Sequence, residues 1–294
     1  MYLPNFQYLA PETEEQLMAM LSEHRGKASI LAGGTDLLPL MKGRKVEPAF
    51  LINIEGLEFL QGITYEKGKG LVIGSATKIE AIENSSLIQK KYYALHQGSA
   101  AIGSTQVRAM GTIGGNCCNA LPAADTPPAL IAFGARVRLA SKRGRREMPL
   151  EAFILGNRLT AMEPDEYMES LTLDEPWPNA SSRYHFMGPR GAMDIDMVSV
   201  AVNLAIDPSD GKVSHVRIVM GAVAPTPLRA RQSEDILLGK SLDVDQIGKA
   251  AEACGKDARP IDDFRASAAY RREIVRVLAQ RCLEEIRASN AVVG

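Results

Sequence analysis

The feature that most constrains this chain is a short apolar run that stops on two glycines. Ala28 to Leu31 reads as a buried strand leading straight into Gly33-Gly34, and Thr35 or Asp36 is placed to cap a brief helix reaching Lys42. The same grammar recurs on both sides. Thr13-x-x-Gln16 has the form of a capping box ahead of Leu17, Met20 and Leu21, which share one helical face. Phe50 to Ile54 is a second strand. Leu71 to Ile73 is a third, ending in Gly74-Ser75-Ala76-Thr77 before a helix that begins near Ile79. Gln89 to Ile102 reads as one helix. The first third of the chain therefore alternates short strands with amphipathic helices.

From Arg108 to Pro128 the residues are rich in Gly, Asn, Pro and Thr, which is loop chemistry. A short helix (Ala129 to Phe133) and a strand (Arg136 to Ala140) follow. Lys142-Arg143-Gly144-Arg145-Arg146 reads as a solvated hairpin turn, with docking or phosphate binding as the alternative. The polar stretch from Asp174 to Ala180, carrying Pro176 and Pro178, marks a domain boundary. Beyond it Val198, Val200, Val202 and Leu204 alternate with smaller or polar residues as in a half-buried strand. Pro208-Ser209-Asp210-Gly211 supplies a turn, and Val216, Ile218 and Met220 form the second arm of a hairpin. Helical patterns then cover Arg229 to Leu238, Val244 to Cys254 and Phe264 to Ala288. This is a small antiparallel sheet with helices on one side.

Two segments carry chemistry: Ala32-Gly33-Gly34-Thr35-Asp36-Leu37 and Gly111-Thr112-Ile113-Gly114-Gly115-Asn116. Glycines lack a Cβ and reach positive φ, so successive backbone N–H groups can converge on an anion. The first segment also leads into a helix N-terminus, which favours phosphate. Neither fits G-x-G-x-x-G or G-x-x-x-x-G-K-[ST]. Two readings stand: purely structural glycine turns, or a pair of loops gripping a pyrophosphate from two sides, as FAD requires. On the second reading the double substitution Gly33→Val with Gly114→Val would abolish FAD binding, because Cβ branches would block the backbone's approach to the pyrophosphate.

Composition closes other routes. At 294 residues the chain accommodates two domains, and Lys+Arg 34 against Asp+Glu 35 leaves no field directed at nucleic acid or an anionic membrane. No apolar run approaches a membrane span, and the N-terminus lacks signal-peptide character, so the expected compartment is the cytoplasm. Cys117, Cys118, Cys254 and Cys282 show no metal spacing, and His24, His96, His185 and His215 are scattered. No metal site is expected, and the cysteines read as small semi-buried thiols.

Taken together the motifs resemble the FAD-binding medium subunit of the xanthine dehydrogenase and carbon monoxide dehydrogenase family. The matching elements are Phe6-x-Tyr8-x-x-Pro11, Leu31 to Leu37, Val107 to Asn116, Pro122-Ala123-Ala124-Asp125 and Arg190-x-x-x-Asp194-Ile195. Their order and spacing run over nearly the whole chain.

The resemblance implies an α+β chain: a two-lobed FAD-binding fold of the vanillyl-alcohol-oxidase type over residues 1–175 (lobes of about 1–55 and 56–175), then a C-terminal domain of residues 181–288. It places Ala32 to Thr35 on the pyrophosphate with Leu31, Asp36 and Leu37 adjoining, and Thr112, Gly114, Gly115 and Asn116 opposite. Asp125 would meet the ribose or nearby polar groups, and Cys118 and Asn119 would line the site. Arg190 is either a flavin contact or the partner of Asp194 or Asp196. In the family, electrons pass from a molybdopterin-binding large subunit through two [2Fe–2S] clusters on a small subunit to FAD, then to an external acceptor. The cofactor carries the chemistry, so no catalytic acid, base or nucleophile is assigned.

One departure is Phe186, where many relatives have a lysine near the flavin ring; losing that charge would alter the redox poise. A cysteine-rich cluster insertion found in one branch is missing, so no cluster is expected on this chain. The alternatives are a stand-alone FAD oxidase of a small molecule, for which no base is evident, and a flavin-free scaffold subunit.

Overall fold

A computed structural model describes residues 2–190 and 193–291; Met1, at the head of the N-terminal stretch read above, lies outside them. The first lobe comprises β1 (Gln7–Leu9), α1 (Glu14–Glu23), β2 (Ala28–Leu31), α2 (Leu37–Lys42) and β3 (Phe50–Asn53). Its strands pair in parallel in the order β1-β3-β2, so β2 delivers Gly33 to the C-terminal end of the sheet. Thr13 caps α1 by accepting from the Gln16 N–H at 3.3 Å. The Gln16 side chain reaches back to the Glu12 N–H rather than to Thr13, a capping box displaced by one residue. Leu17 and Leu21 bury against Ile52, Ile54, Leu57 and Leu60.

The second lobe opens with β4 (Ile63–Glu66) and β5 (Gly70–Gly74), followed by five helices: α3 (Ile79–Glu83), α4 (Ser86–Lys91), α5 (Tyr93–Ala101), α6 (Thr105–Met110) and α7 (Ile113–Asn119). It continues with α8 (Thr126–Ala132), β6 (Arg136–Ser141), β7 (Gly144–Pro149), α9 (Leu150–Phe153), β8 (Ile154–Gly156), β9 (Leu159–Thr160) and β10 (Tyr167–Leu173). The main sheet is antiparallel, in the order β4-β5-β10-β6-β7.

Two expectations fail here. The helix expected over Gln89 to Ile102 is broken at Tyr92, whose buried ring turns inward to donate to the Asp174 carbonyl at 3.0 Å. The stretch expected to be loop, Arg108 to Pro128, holds the end of α6, all of α7 and the start of α8. Its loop-like residues are helix ends. Thr112 caps α7, Pro127 and Pro128 open α8, and Ala120 closes α7 at φ +46°, while Ser104, just ahead of the stretch, caps α6. Glycines inside α7 mask its helical character in the sequence, and packing supplies what propensity does not.

The C-terminal part contains β11 (Ala180–Met187), β12 (Val198–Ile206), β13 (Val213–Gly221), β14 (Leu228–Arg229), α10 (Arg231–Leu237), α11 (Val244–Asp257) and α12 (Ala268–Ala291). The strands form one antiparallel sheet in that order. α12 starts later than expected, because Asp262 and Asp263 hold the preceding residues in turns.

β12 is buried on both faces, not one. Val198, Val200, Val202 and Leu204 pack with Ala250, Cys254, Leu278 and Leu283 of α11 and α12. The residues that read as polar or small face the second lobe: Ala201 joins its core, Asn203 donates to the Ala132 carbonyl at 3.3 Å, and Ser199 lies against Gly221 and Pro128. Small side chains there let α5 and α8 sit against the sheet. The two parts of the chain therefore share one sheet as a common wall. No helix among the described residues is long and apolar enough to cross a membrane.

Candidate functional site

The strand-to-helix loop after β2 faces α7 across a cavity of about 450 Å³ between the lobes. Ala32 to Leu37, Thr112, Gly114, Gly115, Asn116, Cys118 and Asn119 all line it. Leu31, Asp125 and Arg190 do not. Leu31 ends β2 and packs against Gly34.

Backbone donors separate the two glycine loops. Among the described residues, none of the N–H groups from Gly33 to Leu37 finds an acceptor in the protein. Five consecutive residues lining the cavity thus leave their donors unused, a row suited to an anion. Gly34, at φ +68°, gives the row its bend. α2 is only six residues long, so this row, more than a helix dipole, makes the anion site.

The second loop is already engaged. Ile113 N–H donates to the Thr77 carbonyl (3.0 Å), Gly114 to the Ser75 carbonyl (2.9 Å), Gly115 to Thr112 Oγ1 (3.1 Å) and Asn116 to the Thr112 carbonyl (3.0 Å). Its glycines serve close packing. An added Cβ at Gly114 would stand 2.7 Å from both the Cβ and the carbonyl oxygen of Ser75. At Gly33 it would meet the Met110 carbonyl oxygen at 2.0 Å, so the loops rest on each other there. The branches of Gly33→Val and Gly114→Val, expected to block pyrophosphate, would therefore first meet protein: at Gly33 they would prise the loops apart, and at Gly114 they would press α7 off Ser75. Lys78 supports the contact by donating to the Met110 carbonyl at 3.1 Å and to Glu55 at 2.7 Å.

Among the described residues no lysine or arginine lines the cavity, whereas Asp36, Glu163 and Glu166 do. Asp36 does not cap α2; it faces Asn119 at the far end of α7. Burial raises its pKa above the ordinary carboxylate range, against the pull of nearby Arg158 and the Asn119 hydrogen bond. Arg158 in turn donates to Asn119 Oδ1 at 2.8 Å. Burial tends to raise the Glu166 carboxyl too, but two 2.8 Å hydrogen bonds from Arg146 hold it below its usual value.

Arg25, just past α1, bridges Glu163 (3.0 Å) and Asp165 (3.2 Å), and Glu14 on α1 pairs with Arg145 and accepts from Tyr167. These ties clasp the lobes at the cavity rim. The basic run expected as a solvated turn thus spends Arg143, Arg145 and Arg146 on carboxylates. Burial pushes the Cys118 thiol up to about 12, so it offers no thiolate. The four cysteines are free.

Asp125 lies behind this wall, at the junction with the C-terminal sheet. The Tyr184 hydroxyl sits 3.0 Å from Asp125 Oδ1 and 3.0 Å from Asp196 Oδ2. One phenolic hydrogen cannot satisfy two carboxylates, and burial together with their mutual repulsion raises the pKa of the pair, so one carboxyl keeps its proton. Arg190 pairs with Asp194 at 2.9 Å on a side chain 68% exposed. Of its two readings the ion pair is the one seen.

Sequence reasoning missed Ser75 on the opposite wall, along with Ile79, Ile102, Val107 and, between Met162 and Met168, every residue but Asp165. The strand ending in Gly74-Ser75-Ala76-Thr77 was a usable signal, since it repeats the pattern of small residues after a strand. Met162 to Met168 carries none.

The cavity suits a ligand with an anionic middle and less polar ends: the donor row can hold a diphosphate, and Ile30, Leu40, Ile54, Ile79 and Val107 offer apolar surface nearby. Comparisons with known proteins agree. The family described as "FAD binding domain in molybdopterin dehydrogenase" matches residues 4–175, and "CO dehydrogenase flavoprotein C-terminal domain" matches residues 182–286. The carbon monoxide dehydrogenase medium chain of Hydrogenophaga pseudoflava is 32% identical, covering 95% of this chain and 96% of the relative. The xanthine dehydrogenase FAD-binding subunit of Escherichia coli O157:H7 is 28% identical over 88% of each. Among solved structures, a Hydrogenophaga pseudoflava carbon monoxide dehydrogenase lacking the Mo-pyranopterin moiety aligns at TM-score 0.92 and 33% identity, covering 98% of this chain and 99% of that one. Quinoline 2-oxidoreductase from Pseudomonas putida 86 aligns at TM-score 0.91, with 26% identity and the same coverage.

Proposed function

The chain belongs to the FAD-binding medium subunits of the molybdenum hydroxylases, and from that premise we propose that it is the electron-transfer flavoprotein of such a complex. It would take electrons from [2Fe–2S] clusters on a small partner subunit, upstream of which lies a molybdopterin-binding large subunit, and pass them to an external acceptor. The observation that carries this reading is the row of unengaged N–H groups from Gly33 to Leu37, set across a cavity from a braced second loop.

Bound FAD would supply the redox chemistry, since its isoalloxazine ring exchanges electrons singly or in pairs. The work of the chain is to bind, orient and enclose. The N–H groups of Gly33 to Leu37 hold the diphosphate, and Thr35 adds a hydroxyl. Thr112, Gly114, Gly115 and Asn116 form the opposite wall. Their N–H groups keep that wall rigid, so a fixed surface and not a mobile loop meets the cofactor. Leu31 shapes the cradle from below, and Cys118, Asn119 and Asp36 close its far end.

Asp125, held by Tyr184, fixes the junction behind the wall. Arg190, paired with Asp194, steadies the loop before β12. Residues 1–175 constitute the cofactor-binding part, in lobes of about 1–55 and 56–175, and 181–288 the second domain that walls it.

The test is reconstitution with the large and small subunits of the complex. Flavin absorbance should bleach on addition of the complex's reducing substrate only when all three subunits are present. Flavin that stays oxidised while the iron–sulfur signals are reduced would refute the electron-transfer role.

A further inference from the structure

Five buried side-chain nitrogen or oxygen atoms have no hydrogen-bond partner among the described residues: Ser75 Oγ, Ser99 Oγ, Ser199 Oγ, Asn203 Oδ1 and Arg271 Nε. Ser75 alone among these residues lines the cavity between the lobes. It is 4% exposed, and a hydroxyl left without a partner at that depth is destabilising. The backbone around it is fully committed. Its N–H donates to the Glu169 carbonyl at 3.1 Å, and its own carbonyl accepts from Gly114 at 2.9 Å. The residue is thus pinned between β10 and the start of α7, with only its hydroxyl unused.

Its neighbours place it beside the donor row. Gly114 packs on Ser75, Gly33 packs on Met110 and Gly111, and Thr35 Oγ1 stands 3.6 Å from where a Gly111 Cβ would be. Ser75 therefore lies behind Gly114, on the wall of the same cavity that Gly33 to Leu37 line.

We propose that the Ser75 hydroxyl is a ligand of the bound dinucleotide, donating to an oxygen of the diphosphate or of the ribose next to it. This rests on the cavity being the FAD site. It adds a neutral donor to a pocket lined, among the described residues, by no lysine or arginine, and it gives the second wall a direct contact that its own engaged N–H groups do not supply.

The test compares the full-length wild type with Ser75→Ala, which changes little volume and strains no backbone. Dissociation constants are measured for FAD, ADP and riboflavin, and thermal melting is followed without ligand. Loss of one hydrogen bond to a charged acceptor should weaken FAD about tenfold. A parallel loss for ADP, with riboflavin unchanged, locates the bond on the diphosphate side or its adenylate ribose. A loss for FAD and riboflavin alone would overturn that placement. Unliganded Ser75→Ala should melt no lower than wild type, because the substitution removes an unsatisfied hydroxyl. A purely structural role would instead lower the melting temperature and leave affinity alone, overturning the proposal. Wild type that takes up no FAD sinks the cofactor reading itself, whereas wild type and Ser75→Ala binding FAD equally tightly sinks only this inference.

Discussion

The two glycine loops look alike in sequence and do opposite work. In the first, residues Gly33 to Leu37 leave their N–H groups free along a cavity wall. In the second, Ile113 to Asn116 spend theirs on Thr77, Ser75 and Thr112, tying α7 to the strand end behind it. One loop is a binding surface and the other is the brace that holds a wall opposite it. A glycine pair signals close backbone approach; what approaches, ligand or neighbouring chain, is decided by where the N–H groups point.

The sharpest way to break this contrast is Gly33→Ala. Although Gly33 belongs to the binding loop, its missing Cβ makes room for the Met110 carbonyl. The substitution should destabilise the unliganded protein by about 3 kcal/mol, the upper end of ordinary overpacking, as read by urea unfolding. A change only in FAD affinity would mean that the loops do not bear on each other.

Thr112→Ala and Thr35→Ala form the next pair. Removing the Thr112 cap should cost about 1 kcal/mol of stability without cofactor, whereas Thr35 accepts no cap hydrogen bond and its loss should stay within about 0.5 kcal/mol while weakening FAD. Equal losses of stability would erase the distinction between brace and cradle.

Asp36 gives a smaller, pH-dependent effect. Its pKa is raised in the folded protein by burial, so its contribution to stability is complete below the ordinary carboxylate range and is lost as pH rises through the raised value. Over the same rise it becomes an anion beside the donor row. FAD affinity should therefore fall a few-fold toward higher pH, and Asp36→Asn should bind more tightly with a flatter pH profile in fluorescence titrations. An unchanged profile would place the diphosphate away from Asp36.

The smallest predicted effect is that of salt. Neutral N–H and hydroxyl donors, with no lysine or arginine among the described residues of the lining, should leave FAD affinity nearly constant from low to high ionic strength. Steep weakening with salt would point to a cationic ligand such as Arg158 swinging into the site.

Much of this architecture was legible in the residues. The strand ending at Leu31, the strand over Leu71 to Ile73, the Thr13 cap and the β12–β13 hairpin follow local rules of periodicity and turn chemistry. What escaped depends on tertiary partners. Thr112, Pro127 and Pro128 read as loop residues because caps and loops use the same amino acids. The second buried face of β12 escaped because Ser199, Ala201 and Asn203 are small to admit α5 and α8, not polar to meet water. Twelve of the fifteen site residues named from sequence border one cavity, yet which loop binds and which braces follows from hydrogen bonds over long separations, such as Gly114 to Ser75.

The most direct test is amide hydrogen exchange of the two loops, with and without saturating FAD. Without FAD, the amides of Gly114 to Asn116 should be protected while those of Gly33 to Leu37 exchange freely; FAD should then slow Gly33 to Leu37 markedly. If saturating FAD leaves that row exchanging freely, or if both loops are equally unprotected beforehand, the division between cradle and brace is wrong.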